Sequence, residues 1–359
     1  MKRYLVGTIL SAALAIAAHA APRYQTEAFA IGSTATDIND AGNVLMTFSG
    51  VTAGIWSGGT LYMLPSFGAS QIGVSEIGAD STVVGTLFQR PYAWTGLVPR
   101  DLNRDTGYRG SAFGILSTGA IVGGSVSDTF GGSSQRATIW SAGTTTYLPE
   151  GFDMLMGADA TGGYIGFRSI HGRGQAYASW DFTTWTNLDG PASISPAETQ
   201  ARAINASGTV VGSTAYAGTP MNFKAAFWDK NDPVAKLLPT FSSSNSAFSF
   251  AWDVNDSGDI VGYSEGLNFR HAVLWKDGQL VDLNDYLDPA LKAAGWYMYE
   301  ATGINARGDI VGNLDNLALN EQRAVVLQAV PEPDAWFLMV GGLTFVALRT
   351  RWSTKGRRA

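Results

Sequence analysis

The sequence predicts an all-β protein, a seven-bladed β-propeller of four-stranded antiparallel blades. Three observations predict it. One pattern recurs seven times, with its turn residue at positions 42, 81, 119, 162, 208, 258 and 308. The mean step is about 44 residues, within the range that four-stranded propeller blades occupy. Each copy divides into short apolar runs separated by turn-forming residues, as an antiparallel meander does. The seventh copy shows three runs and no clear fourth, while a spare strand-like run, Tyr24–Ile31 (YQTEAFAI), stands ahead of the first copy.

Residues 253–284, DVNDSGDIVGYSEGLNFRHAVLWKDGQLVDLN, show the pattern most fully. Val254, then Ile260 and Val261, then residues 272–275 and 280–283 supply the four runs. Gly258 suits the left-handed position that closes a type I turn with a bulge. Asp277 and Gly278 suit a type I′ hairpin, in which both turn residues need φ > 0. The first unit has Asp37-Ile38-Asn39 and Gly42, then Ala53-Gly54-Ile55-Trp56. The second is degenerate, with Ser81 in the place of the turn glycine and Tyr92-Ala93-Trp94 on its third run. The third carries Gly119 and Trp140, and the fourth, weak at its start, carries Gly162 and Trp180. The fifth is clear, with Ala203-Ile204-Asn205, Gly208 and Ala225-Ala226-Phe227-Trp228. The seventh has Gly303-Ile304-Asn305, Gly308 and, where the others have Trp, Leu327.

Period-2 alternation turns one face of each strand toward each neighbouring blade, so both faces read apolar. The third-run Trp is large enough to fill the gap where the fan widens. Glycines after Ile-Val or Val-Val, such as Gly262, imply close backbone approach or a bulge. Pairing of Tyr24–Ile31 with the third strand of the last unit would close the ring and remove an open edge. A β-solenoid is the competing architecture, but its coils are usually shorter and lack a tight hairpin in each. Residues 288–294 read as a short helix, with Asp288 as cap, Pro289 in the first turn and Gly295 as the stop. The Gly/Ser/Thr-rich stretches 127–135, 214–223 and 242–246 read as rim loops, where ligands usually meet a propeller.

Both ends read as processing segments. Lys2 and Arg3, an apolar run over 5–18 and the Ala18-His19-Ala20 site make residues 1–20 a signal peptide, so export from Ala21 onward is expected. At the other end Val330-Pro331-Glu332-Pro333 precedes an uncharged run, 336–348, and then Arg349, Arg351, Lys355, Arg357 and Arg358. As a helix that run spans roughly 20 Å, short of the ~30 Å hydrocarbon core. The basic end is expected to stay cytoplasmic. This order of motif, apolar helix and basic tail resembles the PEP-CTERM sorting signal. The resemblance implies a Gram-negative, exopolysaccharide-producing host, transient inner-membrane association through the C-terminal helix, and cleavage near the motif by an exosortase. The secretion translocon and the exosortase are then the expected partners. The repeats, roughly Ala-x-x-Ile-Asn-x-x-Gly-x-Ile-Val-Gly, a spacer and Ala-x-x-Trp, resemble the HAF family of extracellular repeats, most closely in the fifth, sixth and seventh units. That family implies no established activity.

Composition narrows the chemistry. The chain has 24 basic and 30 acidic residues, and removing both end segments leaves a body near −11. That argues against nucleic acid as a partner. The absence of cysteine excludes disulfides and thiolate metal sites. His171 and His271 are the histidines outside the leader, and no His-x-x-x-His pair exists. Asp253, Asn255 and Ser257, like Asp37 and Asn39, faintly resemble an acidic calcium loop, but Ser264 stands where the bidentate Glu is needed. Asx side chains at such turns hold the backbone. No Gly-x-Ser-x-Gly elbow and no phosphate loop is present. No metal, cofactor or catalytic residue is therefore expected, and spacing singles out no carboxylate pair for glycoside cleavage. Six of the 11 tryptophans hold the third-run position and are core by periodicity. Trp185, Trp252 and Trp296 do not, and are the candidates for a glycan surface. The expectation is an exported, monomeric, non-catalytic propeller of the cell envelope, outer surface or extracellular matrix that binds among exopolysaccharide. The competing expectation is a propeller glycoside hydrolase or polysaccharide lyase with acids in its central channel.

Overall fold

A computed structural model describes residues 24–330, apart from 128–133, 160, 171–172, 192–197, 216–221, 243, 245–246 and 267–268. Thr26–Gln328 forms one compact unit. The signal peptide, the sorting residues Pro331, Glu332 and Pro333, the 336–348 run, the basic tail and His171 lie outside the described residues. Among the described residues, no helix is long and apolar enough to cross a membrane.

The first described strand is β1 (Tyr24–Ile31), and the described strands form seven antiparallel sheets of four, β1 belonging to the last. Blade 1 is β2 (Ser33–Ile38), β3 (Val44–Phe48), β4 (Thr52–Ser57) and β5 (Thr60–Met63). Blade 2 is β6 (Ile72–Ile77), β7 (Val83–Leu87), β8 (Arg90–Thr95) and β9 (Val98–Asp101). Blade 3 is β10 (Arg109–Ile115), β11 (Ile121–Ser127), β12 (Ser134–Ser141) and β13 (Thr144–Tyr147). Blade 4 is β14 (Met154–Ala158), β15 (Tyr164–Ile170), β16 (Arg173–Ser179) and β17 (Thr186–Asn187). Blade 5 is β18 (Thr199–Ile204), β19 (Val210–Ala215), β20 (Phe223–Trp228) and β21 (Lys236–Leu237). Blade 6 is β22 (Ser249–Val254), β23 (Ile260–Glu265), β24 (Arg270–Lys276) and β25 (Gln279–Asp282). Blade 7 is β26 (Tyr297–Ile304), β27 (Ile310–Asn316) and β28 (Glu321–Ala329), completed on its outer side by β1. The helix α1 (Pro289–Ala293) precedes blade 7, with the Asp288 carboxylate accepting from the Ala290 N–H and Gly295 at φ 84° ending it.

The order β1-β28-β27-β26 closes the ring as the spare strand predicts, which a solenoid does not do. Blade 7 packs against blade 1 through β2. Phe29 of β1 meets Trp56 edge-on at 5.4 Å, and the Ala324 N–H donates to Ser33 Oγ at 3.1 Å across 291 positions of sequence. All seven predicted turn residues have positive φ, including Ser81 at 65°. Asp277 and Gly278, at 52° and 73°, form the type I′ hairpin. Gly262 is a true close approach, since a Cβ there would lie 1.9 Å from the Phe250 carbonyl oxygen.

The third-strand indoles do more than fill space. Trp94, Trp228 and Trp275 are buried and each donates its Nε1–H to a carbonyl of the connection entering its blade, Pro65, Asp189 and Pro239 respectively, at 2.7–3.0 Å. Large apolar area and a satisfied donor are thus combined in one side chain. The Asn of the Ile-Asn pair has a second task. Its Oδ1 accepts the N–H four residues on and holds the turn, as in Asn43 N–H to Asn39 and Asp259 N–H to Asn255. Its Nδ2 donates to the backbone of the next blade: Asn205 to the Asn255 carbonyl (2.9 Å), Asn255 to Asn305 (3.2 Å), Asn305 across the seam to Asn39 (3.2 Å), and Asn39 to Gly78 (2.9 Å).

Candidate functional site

The innermost strand of every blade slips by one residue against its neighbour, bypassing the residue three before the Asn position, and β26 slips a second time at Tyr299. Such a bulge re-aims the bypassed side chain. The residues bypassed at the shared position are Thr36, Ser75, Phe113, Met156, Arg202, Trp252 and Thr302, and all seven line one axial cavity of about 670 Å³. Tyr299, Glu300 and Asn313 of blade 7 also line it.

One side of the cavity is aromatic and basic. Trp252 lies 4.4 Å from Phe250, and the Arg202 guanidinium sits 5.1 Å from the Trp252 ring and 5.5 Å from Phe250. Such stacking fixes the guanidinium plane. Arg202 donates to Gln200 Oε1 at 3.4 Å, and burial pulls its pKa down. Glu300 is held by Arg270 at 3.2 Å and by Asn313 Nδ2 at 3.1 Å.

One residue further along the axis lies a ring of acids and small residues. Blades 1, 2 and 6 place Asp37, Glu76 and Asp253 there, and blades 3, 4, 5 and 7 place Gly114, Gly157, Ala203 and Gly303. Each acid reaches the next blade: Asp37 Oδ2 accepts from Ile77 N–H (2.9 Å), Glu76 Oε1 from Ile115 N–H (3.3 Å) and Asp253 Oδ2 from Ile304 N–H (2.8 Å). Enclosure by the blades raises the pKa of all three, and the surface they retain faces the cavity. Asp37, further opposed by the charge of Asp253, is pushed up to about 7. A second hollow opens on the turn side, lined by Asn39, Asp40, Glu76, Asp80 and Leu116 among others, and Glu76 borders both.

The structure separates the three predicted tryptophans. Trp252 lines the cavity. Trp185 is enclosed by Phe152, Tyr164, Tyr177 and Phe182 at 5.3–6.4 Å and pads blade 4. Trp296 is 5% exposed and covered by the Arg323 guanidinium at 3.9 Å, so it presents no free face for a sugar. His271 is paired through Nδ1 to Asp282 at 2.8 Å, away from the axis. Asp253 and Asp37, which resemble calcium-loop residues in sequence, spend their carboxylates on backbone N–H groups, and Asn255 holds its own turn. Among the described residues, no group of three or more His, Asp or Glu side chains is placed to hold a metal ion. Arg202, Phe113, Tyr299 and Glu76 are among the cavity residues that the sequence reading misses. The signal for the bulge residues is positional: they are the variable residues inside Ala-x-x-Ile-Asn.

No family model matches the chain, and no curated protein matches it. Among solved structures the chain is similar to the β-propeller domain of the Trilobed protease from Pyrococcus furiosus, described as having an open velcro topology. That likeness has 17% identity over 71% of this chain and 82% of that one, with a TM-score of 0.47. It is also similar to a gluconolactonase from Xanthomonas campestris, at 12% identity over 72% and 85%, TM-score 0.38. A calcium-binding protein, regucalcin, from Agrobacterium tumefaciens matches at 11% identity over 87% and 94%, TM-score 0.39.

Proposed function

We propose that this is an exported, non-catalytic propeller that binds saccharide in its axial cavity and acts as a surface or matrix module. The observation that carries the reading is Trp252, a non-repeat aromatic delivered by a bulge and flanked by Arg202, in a cavity that Tyr299 also lines. An aromatic face beside a few convergent polar groups suits a sugar ring, whose C–H face is apolar and whose rim is polar. Export rests on the charged start, apolar run and Ala-x-Ala site of residues 1–20. Sorting by an exosortase rests on Val330, Pro331, Glu332 and Pro333 with the basic tail. Intact-mass analysis of the surface-associated protein should find residues 349–359 missing, and a full-length mature species would contradict the sorting proposal.

One observation favours a second reading, a glycoside hydrolase or lyase. Asp37, with its pKa near neutrality beside Asp253 and Glu76, has the titration of a general acid or base. Against it, all three carboxylates already accept backbone hydrogen bonds between blades. Incubation of the purified protein with host polysaccharide decides between the readings. Binding that Trp252→Ala abolishes, without new reducing ends or unsaturated products, supports the module. Product release that Asp37→Asn abolishes supports the enzyme.

A further inference from the structure

Of the charged groups around the axial cavity, Arg202 is treated differently from the others. Glu300 is neutralised by Arg270, and Asp37, Glu76 and Asp253 are held by backbone N–H groups. Arg202 has a neutral partner, Gln200, and two aromatic rings, and it takes part in none of the ion pairs among the described residues. Burial depresses its pKa with no carboxylate near enough to offset the effect. A half-buried cation without a counter-charge is costly to keep, and it becomes favourable when a ligand supplies the anion.

We infer that the cavity is built for an acidic saccharide, a uronic-acid-type sugar whose carboxylate pairs with Arg202 while its ring lies against Trp252. This rests on the saccharide reading proposed above. Three features of the arrangement support it. The planar guanidinium fork matches a planar carboxylate better than a hydroxyl. Cation–π contact with the packed Trp252 and Phe250 rings, together with the bond to Gln200, orders the guanidinium before the ligand arrives, so less entropy is lost on binding. The same bulge geometry that aims Arg202 from blade 5 aims Trp252 from blade 6, which places charge and sugar platform in adjacent blades. Asp37, pushed up to about 7, sets less than a full charge against an anion at neutral pH.

The test is calorimetric titration of the purified protein with oligomers of galacturonate, glucuronate, mannuronate and guluronate, each beside its methyl ester, which keeps the rings and removes the charge. At least one acid form is expected to bind about tenfold tighter than its ester, as one charge-assisted pair would give. Arg202→Gln should erase that difference and leave ester binding within about twofold, whereas Trp252→Ala should weaken both. Equal affinity for acid and ester in the unaltered protein overturns the acidic assignment and leaves the saccharide reading standing. Binding of neither overturns both. If Arg202→Gln does not fold, judged by its thermal transition, the acid-against-ester comparison on the unaltered protein still decides the question.

Discussion

Two arcs of the ring are held together differently. From blade 5 through 6 and 7 into 1 and 2, each junction carries an Asn side chain that donates to the backbone of the following blade. From blade 2 to blade 5 the chain of amides stops. Gly78 offers no side chain, Leu116 offers an apolar one, and Asp159 offers a carboxylate that accepts but cannot donate. There the ring relies on the Glu76 bridge to Ile115, the Trp140 indole bonded to Asn103, and the packed rings of Phe152, Tyr164, Tyr177 and Trp185. The turn-side hollow opens where the amides end, between blades 1 and 3. Directional bonds repeated at one sequence position give a legible motif; packing reaches the same closure with residues that need not repeat.

The arcs can be broken at points of graded severity. Deleting residues 24–30 removes the outer strand of blade 7 and leaves the edge of β28 bare. The protein should aggregate or melt more than about 15 °C lower, measured by thermal unfolding beside the intact chain. An unchanged transition would show that the ring does not need β1.

Asn305→Ala strips one junction of the regular arc, orphaning the Asn39 carbonyl bond and the turn contacts to Arg307 and Asp309. A loss of about 2 kcal/mol in denaturant unfolding is expected, because buried groups are left unpaired. Ser117→Ala, in the corresponding turn of the irregular arc, should change stability by less than about 0.5 kcal/mol. Similar losses at both sites would erase the distinction between the arcs.

The carboxylate bridges add a pH dependence. Asp37 moves from an ordinary 3.8 to about 7 on folding, and Glu76 and Asp253 move in the same direction, chiefly through burial. Between those values the folded chain holds a proton that the unfolded chain has released. The stability this supplies is complete below about pH 4 and drains away as the pH rises toward 7. The melting temperature should therefore be several degrees higher at pH 5 than at pH 8, and Asp37→Asn, which mimics the protonated acid, should flatten the profile. A melting temperature that rises over the same interval would contradict the assignment.

The smallest expected effect is a gain. Asp159 holds its turn through Oδ1, but its Oδ2 is buried without a hydrogen-bond partner. Its counterparts in the regular arc place an amide there. Asp159→Asn should extend the chain of donors to the Asn205 carbonyl and stabilise the protein by about 1 kcal/mol in denaturant unfolding. Destabilisation would mean that blade 4 is spaced too far from blade 5 for the bond.

The division between legible and illegible residues follows from these roles. The blade number, the turn glycines, Ser81 and the closing strand were readable because each is fixed by backbone geometry that repeats. Arg202, Trp252 and Phe113 fill the variable places of Ala-x-x-Ile-Asn, and nothing in a period-2 pattern announces that a one-residue slip turns them toward the axis. Trp252 is distinguished in the sequence only by being out of register with the repeat, a property it shares with the enclosed Trp185 and Trp296. Asp37 and Asp253 were visible as turn acids, but their bonds to Ile77 and Ile304 depend on the neighbouring blade.

The clasp formed by β1 and β28 also sets a timetable. β1 is made early, but its partner β28 follows it out of the ribosome only after some 290 residues. Until then β1 lacks the strand that satisfies its edge in the ring. A chain that stops short anywhere before β28 never finds its clasp and stays accessible to proteases. Closure therefore works as a completeness check: only a chain synthesised to its last strand acquires the stability of the ring.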